Sequence, residues 1–160
     1  MSKHRPENDD PLQVPGARIA IVAARFNAAV VDALIDGART ALLNHGVGAN
    51  QIEVVRTPGA WELPLAAAYL ADQEDRYDAI IALGAVIRGG TPHFEYVCRG
   101  CTDGLMQVQQ EFGVPVAFGV LTCDDDKQAA ERSRDDSSNK GYEAALAALE
   151  MVVVLRQIDV

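Results

Sequence analysis

The residues with the most chemical promise form one run, Gly84-Ala-Val-Ile-Arg-Gly-Gly-Thr-Pro-His93. Adjacent glycines let a ligand approach the backbone closely. A helix opening just after them offers unpaired N–H groups and positive dipole character to an anion. Thr91 reads as the N-cap of that helix and Pro92 as its first residue. The spacing nearly meets the G-x-x-x-x-G-K-[ST] phosphate loop, but Gly90 stands where the lysine belongs, so a nucleoside triphosphatase is excluded. On pattern alone, an ordinary strand–turn–helix junction is the alternative. His93 falls in the first turn, where the macrodipole disfavours an imidazolium, so helix stability gives little reason for it. An imidazole beside a phosphate moves protons near neutrality; a solvated surface histidine is the plainer reading.

Other candidates are scattered along the chain. Phe26, just past an apolar run, either stacks on a planar ring or staples the helix that Asn27 caps. Trp61, the sole tryptophan, reads as core or as site. Glu62 opens a helix, where a carboxylate is favourable for structural reasons alone. Cys98-Arg-Gly-Cys101 has redox spacing but lies inside a helix rather than at its start. A zinc site there would need two more ligands, with only Cys123 and His93 conceivable, so small buried residues are the default. Asp124-Asp-Asp126 opens a helix, which accounts for its charge better than a metal does. Arg132 and Lys140 are cations in an acidic chain; solvated surface charges are the alternative.

These residues need elements to position them. Arg18 to Ala24, Gln51 to Arg56, Tyr77 to Ile87 and Val114 to Leu121 are apolar runs of the kind found in strands buried on both faces. Between and after them come helical segments: Ala28 to His45, Glu62 to Ala71, Pro92 to Phe112, Asp124 to Arg134 and Lys140 to Gln157. Strands alternating with helices predict a parallel sheet covered on both sides, with ligands beyond the strands' carboxyl ends. That places Arg25-Phe26-Asn27, Pro58 to Glu62, Ile87 to His93 and the segment after Leu121 at the site. The last helix is apolar around most of its circumference, which predicts a second buried side, against another subunit.

The 160 residues suit a single domain, over residues 17–160, and a hydrophobic fraction of 49% is enough for a real core. Residues 1–16, with Pro6, Pro11 and Pro15, read as a flexible or extended arm rather than a core element. A net charge of −9 argues against nucleic acid and anionic membranes, so any phosphate must be held by local donors and a few placed cations. No apolar stretch reads as a signal peptide or membrane span, and three cysteines make no disulfide framework. A reducing cytoplasm is the expected home.

Taken together, the chain from about residue 17 to 158 resembles the lumazine synthase family of riboflavin biosynthesis. The resemblance rests on five stretches in order: A-R-F-N at Ala24–Asn27, P-G-A-W-E-L-P at Pro58–Pro64, A-L-G-A-V-I-R-G-G-T-P-H-F-E-Y-V at Ala82–Val97, F-G-V-L-T at Phe118–Thr122 and N-K-G at Asn139–Gly141. It implies a flavodoxin-like three-layer α/β sandwich with a four-stranded parallel sheet. The implied reaction condenses 5-amino-6-ribitylaminouracil with 3,4-dihydroxy-2-butanone 4-phosphate to 6,7-dimethyl-8-ribityllumazine, without cofactor or metal. Phe26 would stack on the pyrimidine, and Ala60, Trp61 and Glu62 would hold the ribityl chain. Ala85, Val86 and Ile87 would present backbone groups to the ring. Gly90, Thr91 and Arg132 would bind the phosphate, with Lys140 as a supporting charge. Phe118 would cover the ring from a neighbouring subunit, and His93 would move protons. The implied assembly is a homopentamer or an icosahedral shell of pentamers. Between Arg132 and Asn139, however, the chain reads Ser-Arg-Asp-Asp-Ser-Ser where many members carry a Gly- and Lys-bearing turn. A generic mononucleotide binder fits less well, since Arg25-Phe26-Asn27 is poor in glycine.

Overall fold

The computed structural model describes residues 12–74 and 76–158. Strands β1 (Ile19–Ala24), β2 (Ile52–Thr57), β3 (Ala79–Ile87) and β4 (Val116–Cys123) form one parallel sheet in the order β2-β1-β3-β4. The helices are α1 (Ala28–Asn44), α2 (Leu63–Ala71), α3 (His93–Phe112), α4 (Asp126–Arg132) and α5 (Lys140–Ile158). The period-two alternation of a strand sorts them into layers. Ile19, Ile21 and Ala23 of β1 and Ala79, Ile81, Leu83 and Ala85 of β3 join the core with α1 and α5, whereas Ala20, Val22, Ile80 and Ala82 join the one with α2 and α3. Burying each of the larger side chains is worth roughly 1.5–3 kcal/mol, and a one-residue slip would exchange the two faces. The expected three-layer α/β sandwich with a four-stranded parallel sheet is therefore the fold.

The arm expected over residues 1–16 lies outside the described residues as far as residue 11. Its last part is docked: Val14 is buried in the α1–α5 core and donates its N–H to the His45 carbonyl at 3.0 Å. The apolar circumference of α5 is also largely accounted for within the chain. The helix packs against α1 as well as against β3 and β4, which buries Ala144, Ala145, Leu146, Ala148, Leu149 and Val152. Only Met151, Val154 and Ile158 among its large apolar residues stand exposed, so this face gives a weaker reason for a second subunit than its composition suggested.

The α1–α5 contact is fixed by one polar side chain. Asn139 is buried, and its Nδ2 donates to the carbonyls of Ala33 and Arg134, both at 3.0 Å. Its Oδ1 accepts from the N–H groups of Gly141 (2.8 Å) and Tyr142 (3.1 Å), satisfying the first donors of α5. Gly37 of α1 has no Cβ because the Asn139 carboxamide occupies that space. Asn139→Ala should therefore cost about 1–2 kcal/mol, the size of a lost cap. Urea titration would read it as a lower midpoint at unchanged slope.

Candidate active site

The site is assembled where β1, β2 and β3 end. The Arg25 N–H donates to the Thr57 carbonyl at 2.8 Å and the Phe26 N–H to the Pro58 carbonyl at 3.1 Å, which holds the loops after β1 and β2 side by side. Asn27 occupies the N-cap position of α1 but does not cap it with its side chain, contrary to the local expectation. Its backbone is left-handed (φ 58°), a conformation that asparagine tolerates better than most residues, and its Nδ2 reaches the Ala85 carbonyl at 2.8 Å. The amide thus ties the β1 loop to the end of β3 and leaves the Phe26 ring 72% exposed.

After β2, Gly59 donates its N–H to Glu62 Oε2 at 2.9 Å, closing a 3₁₀ turn over Ala60–Glu62. Trp61 is 60% exposed, which removes the core reading. Strand β3 outruns its partner. Its last pair with β1 is Leu83 against Ala23, while its pairing with β4 continues to Ile87 against Cys123. Backbone groups in a parallel strand alternate between neighbours. Ala85 O is taken from the β1 side by Asn27, and the Arg88 N–H goes to the Cys123 carbonyl at 2.9 Å on the other side. The Ala85 N–H and the Ile87 N–H and C=O therefore face the open edge, whereas Val86 contributes its side chain and spends its backbone on β4.

The turn into α3 opens next to this edge. A Cβ on Gly89 or Gly90 would meet nothing within 4 Å, so the space in front of the backbone is clear. The N-cap position is Pro92 rather than Thr91, whose hydroxyl accepts only a long 3.5 Å contact from the His93 N–H. His93 is the first helical residue and is exposed. The result is a cleft of about 320 Å³ whose walls include Phe26, Ala60, Trp61, Ala85, Val86, Ile87, Thr91 and His93. Asn27, Gly59 and Gly89, from the segments expected at the site, line it too, as do Phe94 and Val97, which the sequence had not placed there. A second, shallower hollow joins Gly90 and Thr91 to Arg88, Pro92 and Glu95.

Arg88 was quoted in the motif but given no role. Its Nε donates to Asp124 Oδ1 at 2.9 Å, its guanidinium pairs with Glu95, and it lies 4.2 Å from the Phe94 ring centroid. Chiefly through these hydrogen bonds it holds both carboxyls below their ordinary range, so the clamp stays charged through neutral pH. It joins the end of β4 to the first turn of α3 and leaves the second hollow without an uncompensated cation among its lining residues. Asp125, next in the acidic run, caps α4 by accepting from the Gln128 N–H at 2.8 Å. No cluster of potential metal ligands exists among the described residues. Burial pushes the Cys101 thiol up to about 12 and raises those of Cys98 and Cys123, so none is poised as a thiolate.

Besides Gly90, which lines the second hollow, four predicted residues stand outside the cleft wall of their own chain. Glu62 lies beside Trp61 with one carboxylate oxygen committed to Gly59. Phe118, 49% exposed on the edge strand β4, pairs with Ala82, three residues and about 10 Å before Ala85. Arg132 ends α4 with Nη1 on the Gln128 carbonyl at 3.0 Å, near enough to Cys123 to pull that thiol's pKa down against burial. Cys123 is opposite Ile87, so Arg132 flanks the carboxyl edge of the sheet on its β4 side. Lys140 begins α5 with Nζ on both carboxylate oxygens of Glu143, at 2.9 and 2.7 Å. Against known families, residues 16–156 match the model described as 6,7-dimethyl-8-ribityllumazine synthase.

Proposed function

Because the chain belongs to the 6,7-dimethyl-8-ribityllumazine synthase family, we propose that the cleft at the ends of β1, β2 and β3 is where its two substrates meet. The enzyme is a transferase that condenses 5-amino-6-ribitylaminouracil with 3,4-dihydroxy-2-butanone 4-phosphate, the riboflavin-pathway step that yields 6,7-dimethyl-8-ribityllumazine. The observation that carries the assignment of the site is the meeting of an exposed aromatic ring, an unpaired strand edge and a glycine-opened helix start around one cleft. The pyrimidine stacks on Phe26, its polar edge meets the free backbone groups of Ala85 and Ile87, and Val86 packs beneath it. The ribityl chain runs along Ala60 and Trp61, with the second Glu62 oxygen accepting from a hydroxyl. Gly90 and Thr91 receive the phosphate at the start of α3, assisted by Arg132 with Lys140 as a further cation.

This cast suits the reaction. The amine nucleophile arrives on the uracil, so the protein needs no nucleophile of its own, and its main task is alignment. His93, on the cleft wall and next in sequence to Pro92 of the second hollow, moves protons as the imine forms and as the phosphate leaves. Helix N–H groups and an arginine stabilise the departing dianion.

The active form is a homopentamer, with Phe118 closing the ring site from the adjoining subunit, and it works in the cytoplasm. Support for the assembly comes from Leu65, Tyr69 and Tyr96, large apolar side chains exposed on the α2–α3 layer, and from Phe118 on an unpaired strand edge. The serine- and aspartate-rich turn before Asn139 gives no support to association of pentamers into a shell. Among the described residues, no helix is long and apolar enough to cross a membrane.

The direct test mixes the two substrates with the protein and follows lumazine fluorescence alongside inorganic phosphate. One phosphate per lumazine, at a rate above the protein-free mixture, is expected; the protein-free rate would refute the activity. Phe26→Ala should raise the Michaelis constant for the uracil substrate about three- to tenfold, with turnover little changed, since stacking is lost and proton transfer is kept. An unchanged constant would reduce Phe26 to a structural staple.

A further inference from the structure

Helix α3 carries two interior glycines, Gly100 and Gly104, where alanine would serve the helix better. The segment after β2 answers both. A Cβ at Gly104 would stand 2.7 and 2.8 Å from Cβ and Cγ of Pro64. A Cβ at Gly100 would stand 2.9 Å from Cε3 and 3.0 Å from Cη2 of Trp61, and would overlap Cζ3. The indole thus rests directly on the helix backbone, on a spot where no other residue leaves room. Gly100 is not part of the cleft wall, but Trp61 is.

We propose that Gly100 is a positioning residue: by lacking a Cβ it seats the Trp61 indole against α3 and so sets the width of the cleft along the ribityl chain. The proposal rests on the placement of that chain beside Ala60 and Trp61. The reasoning turns on which group yields when a methyl is added. Helix α3 is locked to the sheet by buried Cys101, Leu105 and Val108. The indole is mostly exposed and itself lines the cleft, so it has open volume to move into. A methyl at position 100 therefore displaces the ring rather than the helix.

Trp61 is the only tryptophan, so its emission reports on this ring alone. Gly100→Ala in the full chain should shift that emission and raise the Michaelis constant for the ribityl substrate about fivefold, a modest coupling for residues in contact. Turnover and the constant for the phosphorylated substrate should stay within about twofold. Trp61→Ala alone should raise the same constant. Adding Gly100→Ala to Trp61→Ala should then change it no further, because the methyl has no ring to push. This pair still decides the matter if the single glycine variant fails to fold, since the doubly substituted chain relieves the overlap. Unchanged emission in Gly100→Ala, or a methyl effect that persists without the indole, would overturn the packing. A Trp61→Ala variant with both constants unchanged would overturn the proposal through its premise, by taking Trp61 out of the substrate's reach.

Discussion

Replacing Arg132 with alanine should weaken binding of 3,4-dihydroxy-2-butanone 4-phosphate by about 10- to 150-fold and leave the ribityl substrate almost unaffected. The magnitude corresponds to about 1.5–3 kcal/mol, the range for a hydrogen bond to a charged group. Two features single out this residue. The nearer arginine, Arg88, is neutralised by Asp124 and Glu95, so its charge is spent before a phosphate arrives. Arg132 forms no ion pair with a carboxylate among the described residues and bonds only to a carbonyl on its own helix. In a chain of net charge −9, an uncommitted guanidinium at the edge of the site outweighs its small number. Calorimetry with each substrate separately is the measurement. Equal losses for both would place Arg132 in general folding rather than phosphate capture. Arg132→Lys should recover part of the affinity, since it keeps the charge but loses the planar fork.

His93→Ala should lower turnover by about ten- to a hundredfold, at or below the lower end for general acid–base catalysis. The loss is modest because the reaction brings its own amine nucleophile and its own leaving phosphate, so alignment supplies much of the acceleration and water replaces the imidazole imperfectly. Thermal stability should barely move, since the residue is exposed at the helix start and its ring makes no hydrogen bond among the described residues. Turnover followed against pH in both proteins is the decisive measurement. Complete loss with stability intact would make His93 indispensable and refute the alignment argument. No loss would make it a bystander.

The layers were legible because β1 and β3 are apolar at nearly every position, a pattern that only a sheet covered on both faces requires. Strand ends were less so. The fourth strand, read as Val114 to Leu121, runs from Val116 to Cys123. Its far end is set by pairing with Val86 and Ile87, a long-range fact that polar Thr122 conceals. Asn27 misled for a similar reason: the local rule offers its side chain to α1, but the carbonyl of Ala85, distant in sequence, claims it. Phe26, Trp61, Thr91 and His93 come together in one cleft because they follow strand ends, which the topology gathers. The Arg88 clamp went unassigned because its two carboxylates come from different elements, and only the folded chain brings them to one guanidinium.

The strand edge left open beyond Leu83 bears on how this enzyme tolerates genetic change. Its donors and acceptor belong to the main chain, so no substitution can delete them except one that removes an N–H or bends the strand, as proline would. The contacts proposed for the pyrimidine edge would thus be inherited with the fold rather than with any codon. Drift is free to alter the side chains that shape the cleft walls, and the affinities that follow, while these main-chain groups stay out of its reach.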